Sequence, residues 1–143
     1  MNAKEESERL MNSVLPLAEK MLRQYGEFYP YGGYMKLDGT IVDVGAEDPD
    51  TDRPKSKDLL HVLRSSFREL AGTKQCKAVA IVFAVSMKLP RSNRESDAIQ
   101  VCVEHAHGYS AEVFFPYQIK NKEIVYDETF AQAGKREIFG QRQ

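Results

Sequence analysis

The sequence predicts an α+β fold in which two helices pack on a single, mainly antiparallel sheet of about five strands. Two segments repeat apolar residues at the helical period, two others contain hairpin signals, and one long apolar run lies between the hairpins. The predicted order is helix, two strands, helix, three strands. At 143 residues, the chain (1–143) is expected to form one domain, large enough to bury a core without disulfides or metal.

The central strand is predicted at residues 77–89, the longest apolar run of the chain. Because this run is rich in Val, Ile and Phe and is bounded by Gly72 and Pro90, we expect a strand that is buried on both faces. Alternation places its larger side chains on one face, with Val79, Ile81, Phe83, Val85 and Met87. The opposite face carries smaller side chains, and we expect the helices to pack there.

The first helix is predicted over residues 3–25, where apolar residues such as Leu10, Val14 and Leu22 form one broad stripe. Pro16 interrupts this pattern. It predicts either a kink or a frayed beginning, with the firm helix starting near Ser13. Gly26 is the expected C-terminal cap.

The first hairpin is predicted from Asp38-Gly39, which separates strands at 31–37 and 40–44. This dipeptide favours a tight primed turn with positive φ at both central residues.

A loop is predicted at residues 46–57, where Asp48, Asp50 and Asp52 alternate as at the beginning of a calcium-binding loop. The calcium pattern fails, because Arg53 replaces the required glycine and Leu59 replaces the bidentate glutamate. We therefore expect an acidic surface loop in which Asp52 helps to begin the second helix.

The second helix is predicted over residues 54–71 and ends at Gly72. Its apolar face carries Leu59, Leu60, Leu63, Phe67 and Leu70.

The second hairpin is predicted over residues 97–117, with Ala106-His107-Gly108 as a three-residue loop. This loop sets Val103 opposite Ala111 and keeps one face apolar, whereas a two-residue loop would not. After Pro116 the pattern weakens, and residues 119–126 are expected either to extend the strand or to add a short one around an Asn121-Lys122 turn. The tail is expected to be anchored by Phe130, Ile138 and Phe139.

The element order resembles that of profilin-like and roadblock-type domains, which have a five-stranded antiparallel sheet flanked by helices. Residues 27–32, followed by Asp38-Gly39, and later Val103-Glu104-His105 with 115–117, resemble a group of small bacterial proteins with no assigned activity. The resemblance implies a soluble bacterial protein and transfers no catalytic residue.

Composition disfavours two classes of partner. Twenty basic and twenty-one acidic residues give a net charge of −1, so neither nucleic acid nor an anionic membrane is an expected partner. A cytoplasmic location is predicted, because the first residues lack a signal-peptide core and no apolar run reaches the roughly 18 residues of a membrane span. Cys76 and Cys102 are expected to be buried free thiols.

The candidate binding surface is an aromatic cluster of Phe28, Tyr29, Tyr31 and Tyr34. Tyrosine offers a large rigid contact area with a polar end, and it is enriched at binding hot spots. The alternative is that these rings pack the first helix onto the first strand. A smaller candidate is the basic tip of Lys88, Arg91 and Arg94, which could bind an anion or an acidic partner.

An alternative site consists of Glu104, His105, His107 and Glu112. Two histidines two residues apart in a strand can bind one metal ion, and two carboxylates across a hairpin can act as acid and base. The hairpin loop follows directly after His105, however, where histidines are usually solvated, and His61 is the only other histidine. We therefore assign no metal, cofactor or catalytic residue.

The leading hypothesis is a non-catalytic protein–protein interaction module of regulatory, adaptor or inhibitor type, with an unknown protein partner or a second copy of itself. It depends on the absence of nucleophile-elbow and phosphate-loop motifs from the sequence together with the aromatic-rich first hairpin, and the module is expected to act through an exposed face or edge of the sheet. The alternative is a small-ligand or metal-dependent enzyme that uses the Glu104, His105, His107 and Glu112 cluster.

Overall fold

The computed structural model, which describes residues 1–47 and 51–140, confirms the α+β class. The sheet has seven strands, where about five were expected. In chain order the elements are α1 (Ala3–Tyr25), β1 (Tyr31–Met35), β2 (Ile41–Val44), α2 (Ser56–Gly72), β3 (Ala78–Lys88), β4 (Glu95–His105), β5 (Ser110–Lys120), β6 (Glu123–Tyr126) and β7 (Phe130–Ala133). Neither of these helices is long and apolar enough to cross a membrane.

The strand order is β2-β1-β3-β4-β5-β6, and β7 also pairs with β5. Every pair is antiparallel. β6 and β7 lie one after the other along the same edge of β5, and Pro116 explains the break between them. Pro116 accepts a hydrogen bond from the Asp127 amide, but it has no N–H to donate to that edge.

The two helices lie on opposite faces of the sheet, so the expectation that both pack on the small face is wrong. α1 places Leu10 and Val14 against the small residues of β3, whereas α2 places Phe67 against the larger ones. Gly32 and Gly33 in β1 allow this close approach. A Cβ at Gly33 would lie 2.7 Å from Val14 of α1, and one at Gly32 would lie 3.0 Å from the Phe67 ring of α2.

α1 is continuous from Ala3, so the frayed beginning before Ser13 is wrong, and Gly26 caps its end with φ 77° as expected. Asn2 caps its beginning by accepting the Glu5 amide at 2.8 Å. Pro16 lies inside the helix.

The Tyr31 hydroxyl bridges α1 where Pro16 interrupts its sequence. It accepts the Ala18 amide at 2.9 Å and donates to the Val14 carbonyl at 2.5 Å. These two backbone groups pair directly in a regular helix. A side chain of β1 therefore completes the hydrogen bonding of α1 around its proline.

β3 is buried on both faces only from Ala78 to Val82; beyond that point half-buried and exposed residues alternate. The expectation of a strand buried throughout is therefore wrong, because the two helices leave its outer half uncovered.

α2 begins at Ser56 after Lys55, which caps it without a side-chain bond, so the expected Asp52 cap is wrong. Asp48 and Asp50 lie outside the described residues.

The second hairpin has the expected register, with Val103 opposite Ala111 and a three-residue loop containing Gly108 at φ 101°. The first hairpin is confirmed, but its turn differs. Only Gly39 has positive φ there, and Lys36 pairs with Thr40 around a three-residue loop. The primed type of turn occurs instead at Asn121 and Lys122, both with positive φ, between β5 and β6.

Candidate functional site

The four aromatic residues of the predicted binding surface do not share one surface. Tyr31 is only 6% exposed and faces α1. Phe28 packs edge-on against it there, with 6.0 Å between the ring centroids. Tyr34 faces the other side and packs against Phe67 at 6.4 Å. Tyr29 alone of the four is largely exposed, at 56%. The geometry therefore assigns most of this cluster to packing around β1.

The alternative site is also divided between the two faces of the sheet. Glu104 and His105 are neighbours in β4, so their side chains point to opposite sides. His105 faces α1, whereas Glu104 and Glu112 face the side of α2. The described residues contain no group of three or more His, Cys, Asp or Glu side chains that could hold a metal ion.

His105 is fully buried, so the expectation of a solvated loop histidine is wrong for it; His107 is exposed. The His107 backbone amide donates to Nδ1 of His105 at 3.0 Å, and Nε2 lies 2.9 Å from the Glu6 carboxylate. Since Nδ1 accepts a hydrogen bond, the proton lies on Nε2 and is donated to Glu6. A hydrogen bond from Lys77 lowers the pKa of Glu6, and His105 contributes less. This partly buried network connects α1 to the second hairpin.

Glu104 is 4% exposed and holds the tail of the chain. Its carboxylate accepts the backbone amides of Ile138, at 3.1 Å, and of Phe139. Further bonds join the Ser110 hydroxyl to the Lys135 carbonyl and Arg68 to the Glu137 carbonyl. Residues 134–140, here called the strap, are therefore fastened across the sheet.

A cleft of about 280 Å³ opens between α2 and the strap. β3, β4 and β5 provide its floor, because alternation brings every second residue of these strands to the α2 face. The apolar floor residues are Ile81, Phe83 and Phe114, and the polar ones are Gln100 and Cys102. Charged residues of both signs surround the floor: Arg64, Glu112, Lys135 and Glu137.

The charged groups around the cleft are largely paired. Arg64 lies 3.0 Å from the Glu137 carboxylate, which belongs to the strap. Glu112 accepts the Gln132 amide at 2.8 Å. Each of these two carboxylates is therefore engaged by a neighbouring side chain of the described residues.

Both cysteines are free, as expected, but only Cys76 is fully buried. Burial raises the pKa of each thiol to about 11, so each is overwhelmingly protonated at neutral pH. Gln100 also lies within 3.4 Å of the Cys102 sulfur. Cys102 is thus a neutral, weakly polar part of the cleft floor.

The basic tip faces acidic residues of the chain between β6 and β7. Arg94 pairs with Asp127 at 3.0 Å, and Arg91 lies 3.6 Å from Glu128. These exposed pairs are weak individually, yet they reduce the positive field that an anion would meet.

Part of this site follows from the sequence, and the rest does not. The hairpin register indicates that Gln100, Cys102, Glu112 and Phe114 share a face. Arg64 and the strap were not identified as parts of the site. The available signal was the pair Ile138-Phe139, which predicts a tail anchored on the core.

Comparisons of the chain with protein-family models, with curated proteins and with solved structures find no match. The resemblance to profilin-like and roadblock-type domains stays a prediction.

Proposed function

We propose that this protein is a non-catalytic protein–protein interaction module of a bacterial cytoplasm, of regulatory, adaptor or inhibitor type, and that the cleft binds its partner. The observation that carries the proposal is the cleft itself, whose floor presents the half-buried Phe83 beside the buried Ile81 and Phe114, inside a charged rim. Binding hot spots have this composition, in which a central apolar pocket is surrounded by groups that exclude water.

The position of the cleft on the sheet supports this proposal. α2 packs on β1 and β3, and the strap packs beside β4 and β5, so the floor between them has no covering element in the described part of the chain. Phe83 remains half-buried on this floor. Phe114, another floor residue, stacks on Phe130 with 4.9 Å between the ring centroids. Long paired strands form a rigid floor, which reduces the entropy lost on binding.

The chemistry of the cleft favours binding over catalysis. The two Glu104 oxygens are used by the strap amides, and the Cys102 thiol is protonated at neutral pH because burial raises its pKa to about 11. The expected partner inserts an apolar side chain against Phe83 and places polar groups beside Arg64 and Glu112.

A capture experiment with matched variants tests the proposal. Immobilised protein is incubated with a lysate of the source organism, and Phe83→Lys and Gln100→Arg are compared with Leu17→Lys. Leu17 is an exposed apolar residue of α1, far from the cleft, and provides the control. A partner that wild type and Leu17→Lys retain, and that both cleft variants lose, is expected.

Two results would contradict the proposal. One is equal retention of the partner by Phe83→Lys and Gln100→Arg while both remain folded by circular dichroism. The other is a stoichiometric small molecule in the native mass spectrum with no captured protein, which would assign the cleft to a small ligand instead.

A further inference from the structure

The outer edge of β7 presents unpaired backbone groups. The Gly134 amide donates to the Ser110 carbonyl of β5, which fixes the direction of the neighbouring peptide groups. Since these directions alternate along a strand, the amides of Ala131 and Ala133 point away from β5. Within residues 1–47 and 51–140, no backbone hydrogen bond reaches these two amides.

This edge lacks the usual protection against pairing. Stable monomers place charged residues or proline on their edge strands. Residues 129–134 contain neither, and Ala131, Gln132 and Ala133 are exposed. β2, at the opposite edge, is also four residues long, but it carries the exposed Asp43.

The charges that flank β7 are self-complementary. Asp127-Glu128, which also contact Arg94 and Arg91 of their own chain, precede it, and Lys135-Arg136 follow it. When two copies of this segment run antiparallel, the acidic end of one lies beside the basic end of the other. Like charges would meet instead if the copies ran parallel.

We propose that β7 pairs antiparallel with β7 of a second copy of the chain and forms a two-fold symmetric dimer. Outward-facing residues pair only with outward-facing residues, so the two-fold axis passes through a residue position and not between two positions. Ala131 opposite itself places Asp127 opposite Lys135. Ala131 opposite Ala133 would instead place Glu128 opposite Arg136 but Asp127 opposite Glu137, so attraction and repulsion offset each other there, and the first register is favoured.

The dimer joins the two sheets side by side. Because antiparallel strands in one sheet are related by an axis perpendicular to that sheet, both clefts lie on the same side. This inference goes beyond the proposed partner binding and does not depend on it. A ladder from 127 to 135 is a small interface, so a weak dimer is expected.

Sedimentation equilibrium of the full chain, over about 1 to 500 µM, tests the dimer. Ala131→Pro removes the central outward amide, whereas proline at such a position leaves the pairing with β5 intact. It should weaken association by about tenfold or more. Asp43→Pro makes the matched change on the β2 edge and should leave association unchanged.

Charge reversal provides a second readout that does not depend on proline. Lys135→Glu should weaken association several-fold, because the new carboxylate faces Asp127, and the double variant Lys135→Glu/Asp127→Lys should restore it. A wild-type chain that is monomeric throughout this range would overturn the proposal. So would folded Ala131→Pro protein that associates like wild type, or a dimer that only Asp43→Pro disrupts. If Ala131→Pro does not fold, the charge-reversal pair decides, and an absence of rescue counts against the proposal.

Discussion

Replacing Tyr31 by phenylalanine is expected to destabilise the protein by about 2 kcal/mol, although it removes one atom. The hydroxyl is almost inaccessible to water and serves two backbone groups of α1, the Ala18 amide and the Val14 carbonyl. Each hydrogen bond contributes about 1 kcal/mol net, and both backbone groups would be left buried without a partner.

Urea denaturation followed by circular dichroism measures this loss, with Tyr29→Phe as the matched control. Tyr29 is largely exposed, so its variant should stay within about 0.5 kcal/mol of wild type. A Tyr31→Phe loss below about 0.5 kcal/mol would refute the reasoning.

A double-mutant cycle with Pro16→Ala tests why Tyr31 is needed. Without the proline ring, α1 can close the regular bond between Val14 and Ala18 when the hydroxyl is absent. Tyr31→Phe should then cost at least about 1 kcal/mol less in the Pro16→Ala background than in wild type. Equal costs in the two backgrounds would show that the hydroxyl does not compensate for the proline.

Three further predictions concern packing and charge. Glu104→Gln should increase hydrogen exchange in the strap about tenfold while leaving β3 unchanged, because a neutral amide accepts backbone amides more weakly than a carboxylate. The pKa of Glu6 is lowered, mainly by Lys77, so its stabilising contribution is complete above its ordinary value of 4.5 and is lost as the pH falls through the lowered value. Wild type should therefore lose more stability than Glu6→Gln between about pH 6 and about pH 3 in urea titrations, and parallel losses would contradict this. Gly32→Ala should cost more than about 3 kcal/mol, because its Cβ would lie 2.4 Å from a backbone carbonyl of β3, whereas Gly45→Ala, with open space around it, should change stability little.

The local parts of the fold follow from the sequence because their determinants are local. Alternation and loop length fix the register of the second hairpin, and apolar spacing fixes both helices. The side on which α2 packs is not local, since both faces of β3 are apolar. Gly32-Gly33 allows one helix to approach β1 on each face of the sheet. In a sequence such a pair does not indicate which helix approaches which face.

β7 and the burial of His105 depend on distant partners. The segment 130–133 is short, and half of its residues are alanine. Its pairing is set by β5, where Pro116 has no N–H to donate. His105 is the last residue of its strand and precedes a loop, a position that usually predicts exposure. The beginning of α1, 99 residues away, buries it through Glu6. Neither contact leaves a periodic signal in the sequence.

The cleft was predictable only in its floor. Strand alternation groups Gln100, Cys102 and Glu112, but Arg64 and the strap meet them through tertiary packing. Glu104, one carboxylate of the acid–base pair that the sequence offered as an alternative, is bonded to the strap, and this contact is not visible in the sequence.

Nuclear magnetic resonance titration of the isotopically labelled protein with its captured partner tests the central claim most directly. We predict that the largest amide shifts cluster at Phe83, Gln100, Cys102 and Glu112, while the outer face of α1 stays unperturbed. Shifts centred on Tyr29 or on the outer face of α1, with the cleft unchanged, would contradict the account.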